Sequence, residues 1–175
     1  MPHTTVFIQK KSDTKATCKI ENREVEVNIG RNGAITETEK TEGDGKTPLG
    51  TYHFKTVYYR ADKIDRPETL LPVAQITKDM GWCDDPKHPS YNRLIAKPFQ
   101  SSHEDMHRND DVYDLVVEIS HNNDPVVPEM GSAVFLHLKR DDNAPTAGCI
   151  AFDEKDLRDV LKTAYTTSEI MICMR

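Results

Sequence analysis

The chain is short of several features that would assign it to a large class. In 175 residues it has one tryptophan, few aromatics and only four cysteines, Cys18, Cys83, Cys149 and Cys173. Cysteines this far apart form no C-x-x-C pair, which excludes a zinc-ribbon spacing and a dense disulfide framework. No apolar run approaches the roughly 18 residues of a membrane span, and Met1 to Lys11 lacks the basic-then-apolar layout of a secretory signal. Basic clusters are missing as well. The formal net charge is −6, and Lys10-Lys11, Arg23 and Lys139-Arg140 are dispersed among acids, so nucleic acid is not an expected partner. No repeat, linker or low-complexity tract divides the chain, and one domain over 1–175 is the expectation.

What is present is β-forming sequence. Thr4 to Gln9, Ala16 to Ile20 and Val25 to Ile29 alternate or cluster β-formers, the last ending at a Gly30-Arg31-Asn32-Gly33 turn. Further strands are predicted at Thr51 to Tyr59, Val73 to Ile76, Val112 to Ile119, Ala133 to Leu138, Cys149 to Phe152 and Glu169 to Met174. One helix is well marked: Asp153 stands at the cap position, and Leu157, Val160, Leu161 and Ala164 recur at helical spacing. Between Gly81 and Asp111 lies a polar, proline-containing stretch with little periodicity, which reads as a long functional loop. The fold class expected is mostly β, a sandwich with one or two short α-helices.

Two segments carry a candidate chemistry. The apolar strand Ala133-Val134-Phe135-Leu136-His137-Leu138 bears a histidine near its end, and after a polar loop Pro145-Thr146-Ala147-Gly148-Cys149-Ile150 brings a Gly-Cys into another apolar strand. If the strands are neighbours, the imidazole can take the thiol proton and so raise the fraction of nucleophilic thiolate. Gly148 would let backbone N–H groups approach a reacting oxyanion. On spacing alone, a core histidine and a buried thiol account for the same residues.

These residues resemble the L,D-transpeptidase catalytic domain, the YkuD-like family, whose signature is a strand histidine followed by Ser/Thr-His-Gly-Cys and an apolar residue. The matching positions are His137, Thr146, Gly148, Cys149 and Ile150. The resemblance extends to Gly43-Asp44-Gly45-Lys46-Thr47-Pro48-Leu49-Gly50-Thr51-Tyr52, similar to the family's T-P-x-G-x-Y/F entry segment, and to Gly81-Trp82-Cys83-Asp84-Asp85, Tyr91-Asn92-Arg93, His103-Glu104, Tyr113-Asp114, His121-Asn122 and Gly131-Ser132-Ala133. It covers roughly residues 40 to 162. Two positions depart from the pattern: Ala147 replaces the signature histidine, and Ala151 replaces an arginine that is the natural partner of a substrate carboxylate. Arg93, Arg108, Lys139 or Arg140 are the cations left to supply that charge.

The resemblance implies a YkuD-like β-sandwich and a cysteine acyl transfer on peptidoglycan peptide stems, without cofactor or metal. Cys149 would be the nucleophile and His137 the base, with the Leu138 carbonyl fixing the imidazole tautomer. Thr146, His121, His103, Glu104 and Arg108 are expected to line the substrate groove. The products expected are those of L,D-transpeptidation or L,D-carboxypeptidation. The site of action would be the periplasm or cell wall. With no export signal in view, a further expectation is an antibacterial effector, with an immunity or export partner.

His103-Glu104-Asp105-Met106-His107 formally satisfies H-E-x-x-H, which on a helix presents two imidazoles to zinc with Glu104 as base. A zinc metallopeptidase is therefore one alternative, although Arg108-Asn109-Asp110-Asp111 gives such a helix no apolar face. An inactive peptidoglycan-binding module is the other, given the two alanines. Gly45-Lys46-Thr47 fails as a phosphate loop, because Lys40 stands where that motif needs glycine and Pro48 sits badly in the helix that must follow. Cys18 and Cys173 read as packed strand residues, Cys83 as packed or supporting, and His3, His53 and His88 as structural.

Overall fold

In a computed structural model of the chain, residues 4–175 are described; His3 lies outside them. Thirteen strands and one α-helix are found there. Eight strands pair in the order β10 (Leu115–Ile119), β11 (Phe135–Leu138), β12 (Ile150–Phe152), β3 (Arg23–Asn28), β2 (Lys15–Ile20), β1 (Thr4–Ile8), β13 (Glu169–Met174) and β5 (Thr47–Tyr59). β5 then pairs with β10, Val116 facing Tyr58 and Val117 facing Val57. The sheet therefore closes on itself. The expected sandwich is corrected to a barrel-like ring, because β10 is shared by two partners and leaves no gap between separate sheets. Short parallel strands β4 (Ala34–Thr36) and β6 (Val73–Gln75) extend β5.

Side-chain alternation sorts the residues. Tyr52, Phe54, Leu115, Val117, Leu136, Ile150 and Phe152 fill the interior, as the two-residue period of a strand requires. Helix α1 (Glu154–Thr163) adds Leu157, Val160 and Leu161 to that core. Full burial of each leucine contributes about 1.5–3 kcal/mol. Arg23 bonds Asp156 and Asp159, at 2.7 Å each, and ties the helix to the start of β3. Asp153 does occupy the N-cap position, but its side chain makes no cap bond and instead accepts from Lys139 Nζ at 2.9 Å.

The stretch expected to be one long loop contains a second, three-stranded sheet: β8 (Leu94–Ala96), β7 (Met80–Cys83) and β9 (His103–Asp105). Strands of three or four residues are too short for alternation to show against a polar background. This sheet lies on the outside of the ring. Trp82 meets Phe135 edge-on at 4.9 Å and Tyr58 at 6.4 Å, and Met106 is fully buried with them.

Candidate active site

Because Leu136, Leu138, Ile150 and Phe152 point inward, Phe135, His137, Cys149 and Ala151 face outward. β11 and β12 are parallel neighbours with His137 opposite Ala151. The ladder extends this into one row across five strands, Tyr58–Val116–His137–Ala151–Asn28. The second sheet covers the Tyr58 and Val116 end. At the other end, Asn28 Nδ2 donates to the Asn143 carbonyl at 3.1 Å and to Asn143 Oδ1 at 2.8 Å.

The His137 Nδ1–H donates to the Leu138 carbonyl at 2.8 Å. That bond fixes the tautomer and leaves Nε2 with its lone pair, the form a general base needs. Burial pushes the imidazole down to about 4, against the pull of the Leu138 carbonyl, and Arg108 lowers it further. The Cys149 thiol donates to the Ala133 carbonyl at 3.1 Å and accepts from the Phe135 N–H at 3.3 Å. Burial pushes this thiol up to about 12, reinforced by the Glu104 carboxylate, while Phe135 N–H, Lys40 and Arg108 pull the other way. At neutral pH the two groups rest as a neutral thiol and a neutral imidazole, not as an ion pair.

The turn before β12 is held by two threonines. Thr146 Oγ1 donates to the Cys149 carbonyl at 2.7 Å and accepts the Gly148 N–H at 3.0 Å. Thr47 Oγ1 donates to the Gly148 carbonyl at 2.9 Å and accepts the Gly30 N–H at 2.9 Å. Gly148 has φ +137°, and a Cβ there would come within 2.8 Å of the Lys46 carbonyl oxygen, so only glycine fits. Its N–H is committed to Thr146.

The remaining predicted groove residues divide. Glu104 accepts the Tyr113 hydroxyl, the Tyr113 ring lies 5.5 Å from the His137 ring, and Arg108 stands 5.1 Å over that tyrosine. Glu104 and Arg108 therefore belong to the surroundings of His137 and Cys149. Burial raises the Glu104 carboxyl, partly countered by the Tyr113 hydroxyl. His103 is turned away, its Nδ1 on the Ser101 carbonyl at 2.8 Å and its ring against Phe99. His121 is buried against Tyr52, its Nε2 on the Met130 carbonyl at 3.1 Å. Its link toward the site runs through its backbone carbonyl, which accepts from Asn92 Nδ2 at 3.3 Å.

The H-E-x-x-H reading loses its helix: residues 103–105 are strand β9, so the spacing does not bring His103 and His107 to one helical face. Among the described residues no three His, Cys, Asp or Glu side chains gather to hold a metal ion. The cations considered in place of an arginine at 151 all have partners already. Arg93 donates to the Asn123 carbonyl, Arg108 grips Asp110, Lys139 pairs with Asp153 and Arg140 with Asp142. Cys83 and Cys18 are fully buried and Cys173 partly so. Burial raises the first two thiols, Cys18 to about 12, as packed residues should show.

Thr47, Tyr113 and Asn92 were not singled out by chemical pattern. All three lie in segments that carry the family resemblance, but nothing in their spacing signals a bond to the 148 carbonyl, a link to Ala133 or a ring beside His137.

A search of curated proteins and one of solved structures returned no significant match. No helix among the described residues is long and apolar enough to cross a membrane. A family model described as L,D-transpeptidase catalytic domain, YkuD, matches residues 3–172, nearly the whole chain, and on that match the protein belongs to the L,D-transpeptidase catalytic-domain family.

Proposed function

We propose that this protein is a cysteine acyl-transfer enzyme acting on peptidoglycan stem peptides, with Cys149 as nucleophile and His137 as base. The observation that carries this reading is the shared outer face of β11 and β12, where a tautomerically fixed imidazole on β11 and a buried thiol in the turn entering β12 stand on neighbouring segments. From the neutral resting pair, Cys149 Sγ attacks a stem-peptide carbonyl as its proton passes to His137 Nε2. The tetrahedral oxyanion is met by the Cys149 N–H, since the Gly148 N–H is occupied. Collapse breaks the peptide bond, and the imidazolium returns its proton to the leaving amine, giving a thioester. An amine acceptor then yields a cross-link, and water yields a trimmed stem.

With the Cys149 S–H on the Ala133 carbonyl and both thiol and imidazole buried, proton transfer concerted with attack is the favoured course. A thiolate waiting at pH 7 would need the carbonyl and carboxylate surroundings to be replaced, whereas a thiol that ionises only as the carbon–sulfur bond forms does not. The experiment is mass spectrometry of purified muropeptides incubated with the enzyme and with Cys149→Ala. Loss of one D-residue or dimer formation by wild type, absent in the variant, is the expected result. Equal turnover by Cys149→Ala overturns the nucleophile, and stem binding without turnover by the wild type points to a binding module. An effector role is tested by directing the chain to a bacterial periplasm and to the cytoplasm; lysis only in the former supports it.

A further inference from the structure

Both contacts of the Cys149 sulfur come from one short segment. The Phe135 N–H belongs to β11, where Phe135 is held in register opposite Glu118. Ala133 lies outside any ladder, with φ +51°, a left-handed conformation that alanine rarely adopts and that costs about 1 kcal/mol or more. Something must hold it. The Ala133 N–H donates to Asn92 Oδ1 at 3.0 Å.

Asn92 is itself buried, at 4% exposure, and left-handed at φ +54°, which asparagine tolerates better than other residues with a side chain. Its amide is fully engaged. Oδ1 also accepts the Trp82 Nε1–H at 2.9 Å, and Nδ2 donates to the Asn122 carbonyl at 2.7 Å and the His121 carbonyl at 3.3 Å. One side chain thus joins the outer sheet, the segment after β10 and the residue whose carbonyl accepts the S–H hydrogen bond.

We propose that Asn92 is a positioning residue for Cys149: it pins Ala133 in the left-handed geometry that turns the Ala133 carbonyl onto the S–H, and so keeps the thiol protonated and aimed. The outer sheet then helps to set the state of the nucleophile as well as to cover the ring. This rests on Cys149 being the reactive thiol, and chemical alkylation examines it without requiring turnover.

Without the Asn92 side chain, Ala133 relaxes and the S–H loses its acceptor, while the Phe135 N–H, held by its own strand, still favours the thiolate. Alkylation should therefore rise as turnover falls, a divergence that simple loss of packing does not produce. The test is the rate of iodoacetamide modification at pH 8, resolved by peptide mass spectrometry, in wild type, Asn92→Gly and Asn92→Asp. Glycine keeps the left-handed backbone and removes every side-chain bond; aspartate keeps the acceptor for Ala133. Expected is a rate at Cys149 at least 10-fold higher in Asn92→Gly, with stem-peptide kcat at least 10-fold lower and KM within about 3-fold, while Asn92→Asp modifies within about 3-fold of wild type. Buried Cys18 reports global opening. Unchanged Cys149 modification in Asn92→Gly, equal rates in the Asp and Gly variants, or Cys18 modified in step with Cys149 each overturn the proposal. Alkylated wild type that still turns over stem peptide would instead remove Cys149 as nucleophile and leave the positioning result standing.

Discussion

The Tyr113 hydroxyl donates to Glu104 across the space between β9 and the segment preceding β10, and the carboxylate so held is the charge that most strongly opposes ionisation of Cys149. A negative charge disfavours a thiolate, so Glu104→Gln should make Cys149 easier to ionise. At pH 8 the variant should alkylate on the order of 3- to 10-fold faster than wild type. An unchanged rate would mean that Glu104 does not act on the thiol.

Thr146 closes the turn with one hydroxyl serving as both donor and acceptor. Thr146→Val preserves shape and removes both bonds, stranding the buried Gly148 N–H and leaving the Cys149 carbonyl the longer 3.5 Å bond from Thr47 Oγ1. A cost of about 1–3 kcal/mol follows from one stranded group. Urea unfolding measures it, and a loss below about 0.5 kcal/mol would show that water or a neighbour takes over.

Gly148→Ala places a methyl where the Lys46 carbonyl already stands and imposes a φ that an L-residue resists. The turn must open, so the expected result is destabilisation of at least about 1–3 kcal/mol together with loss of muropeptide turnover. A crystal structure of the variant with an unmoved turn and full activity would refute the requirement for glycine.

His137 and His121 are both held near pKa 4 by burial, against an ordinary value of 6.5. Between those values the unfolded chain binds more protons than the folded one, so stability rises with pH across that window and is lost as pH falls through it. Each histidine accounts for a loss on the order of 3 kcal/mol between pH 7.5 and pH 4. His121→Asn should flatten the dependence of unfolding free energy on pH in that range. An unaltered slope would show that His121 titrates normally.

The ring's strands were legible where five or six residues alternate, as in β2 and β3, and the helix where Leu157, Val160 and Leu161 repeat. The adjacency of the His137 and Cys149 segments entered only as a condition and comes from the parallel ladder, although the apolar runs around them were legible. The outer sheet was not, since β7, β8 and β9 are stabilised by Trp82 and Met106 packing on a distant surface, a tertiary contact with no local period. Ring closure escaped for a related reason: nothing in β10 announces that it pairs on both edges. Ala133 gave no warning either, because its backbone state is imposed by Asn92 rather than by its own preference.

The two terminal strands of the ring, β1 and β13, lie side by side and parallel, Thr4 opposite Ile170 and Ile8 opposite Met174. The ring is therefore closed at this point by a strand early in the chain and one more than 160 residues later, and its interior stays open to water until β13 is in place. A ribosome releasing this chain stepwise would release the thiol segment well before the wall behind it is complete. The β1–β13 seam thus joins segments far apart in the chain, and the core behind it is sealed only once both are in place.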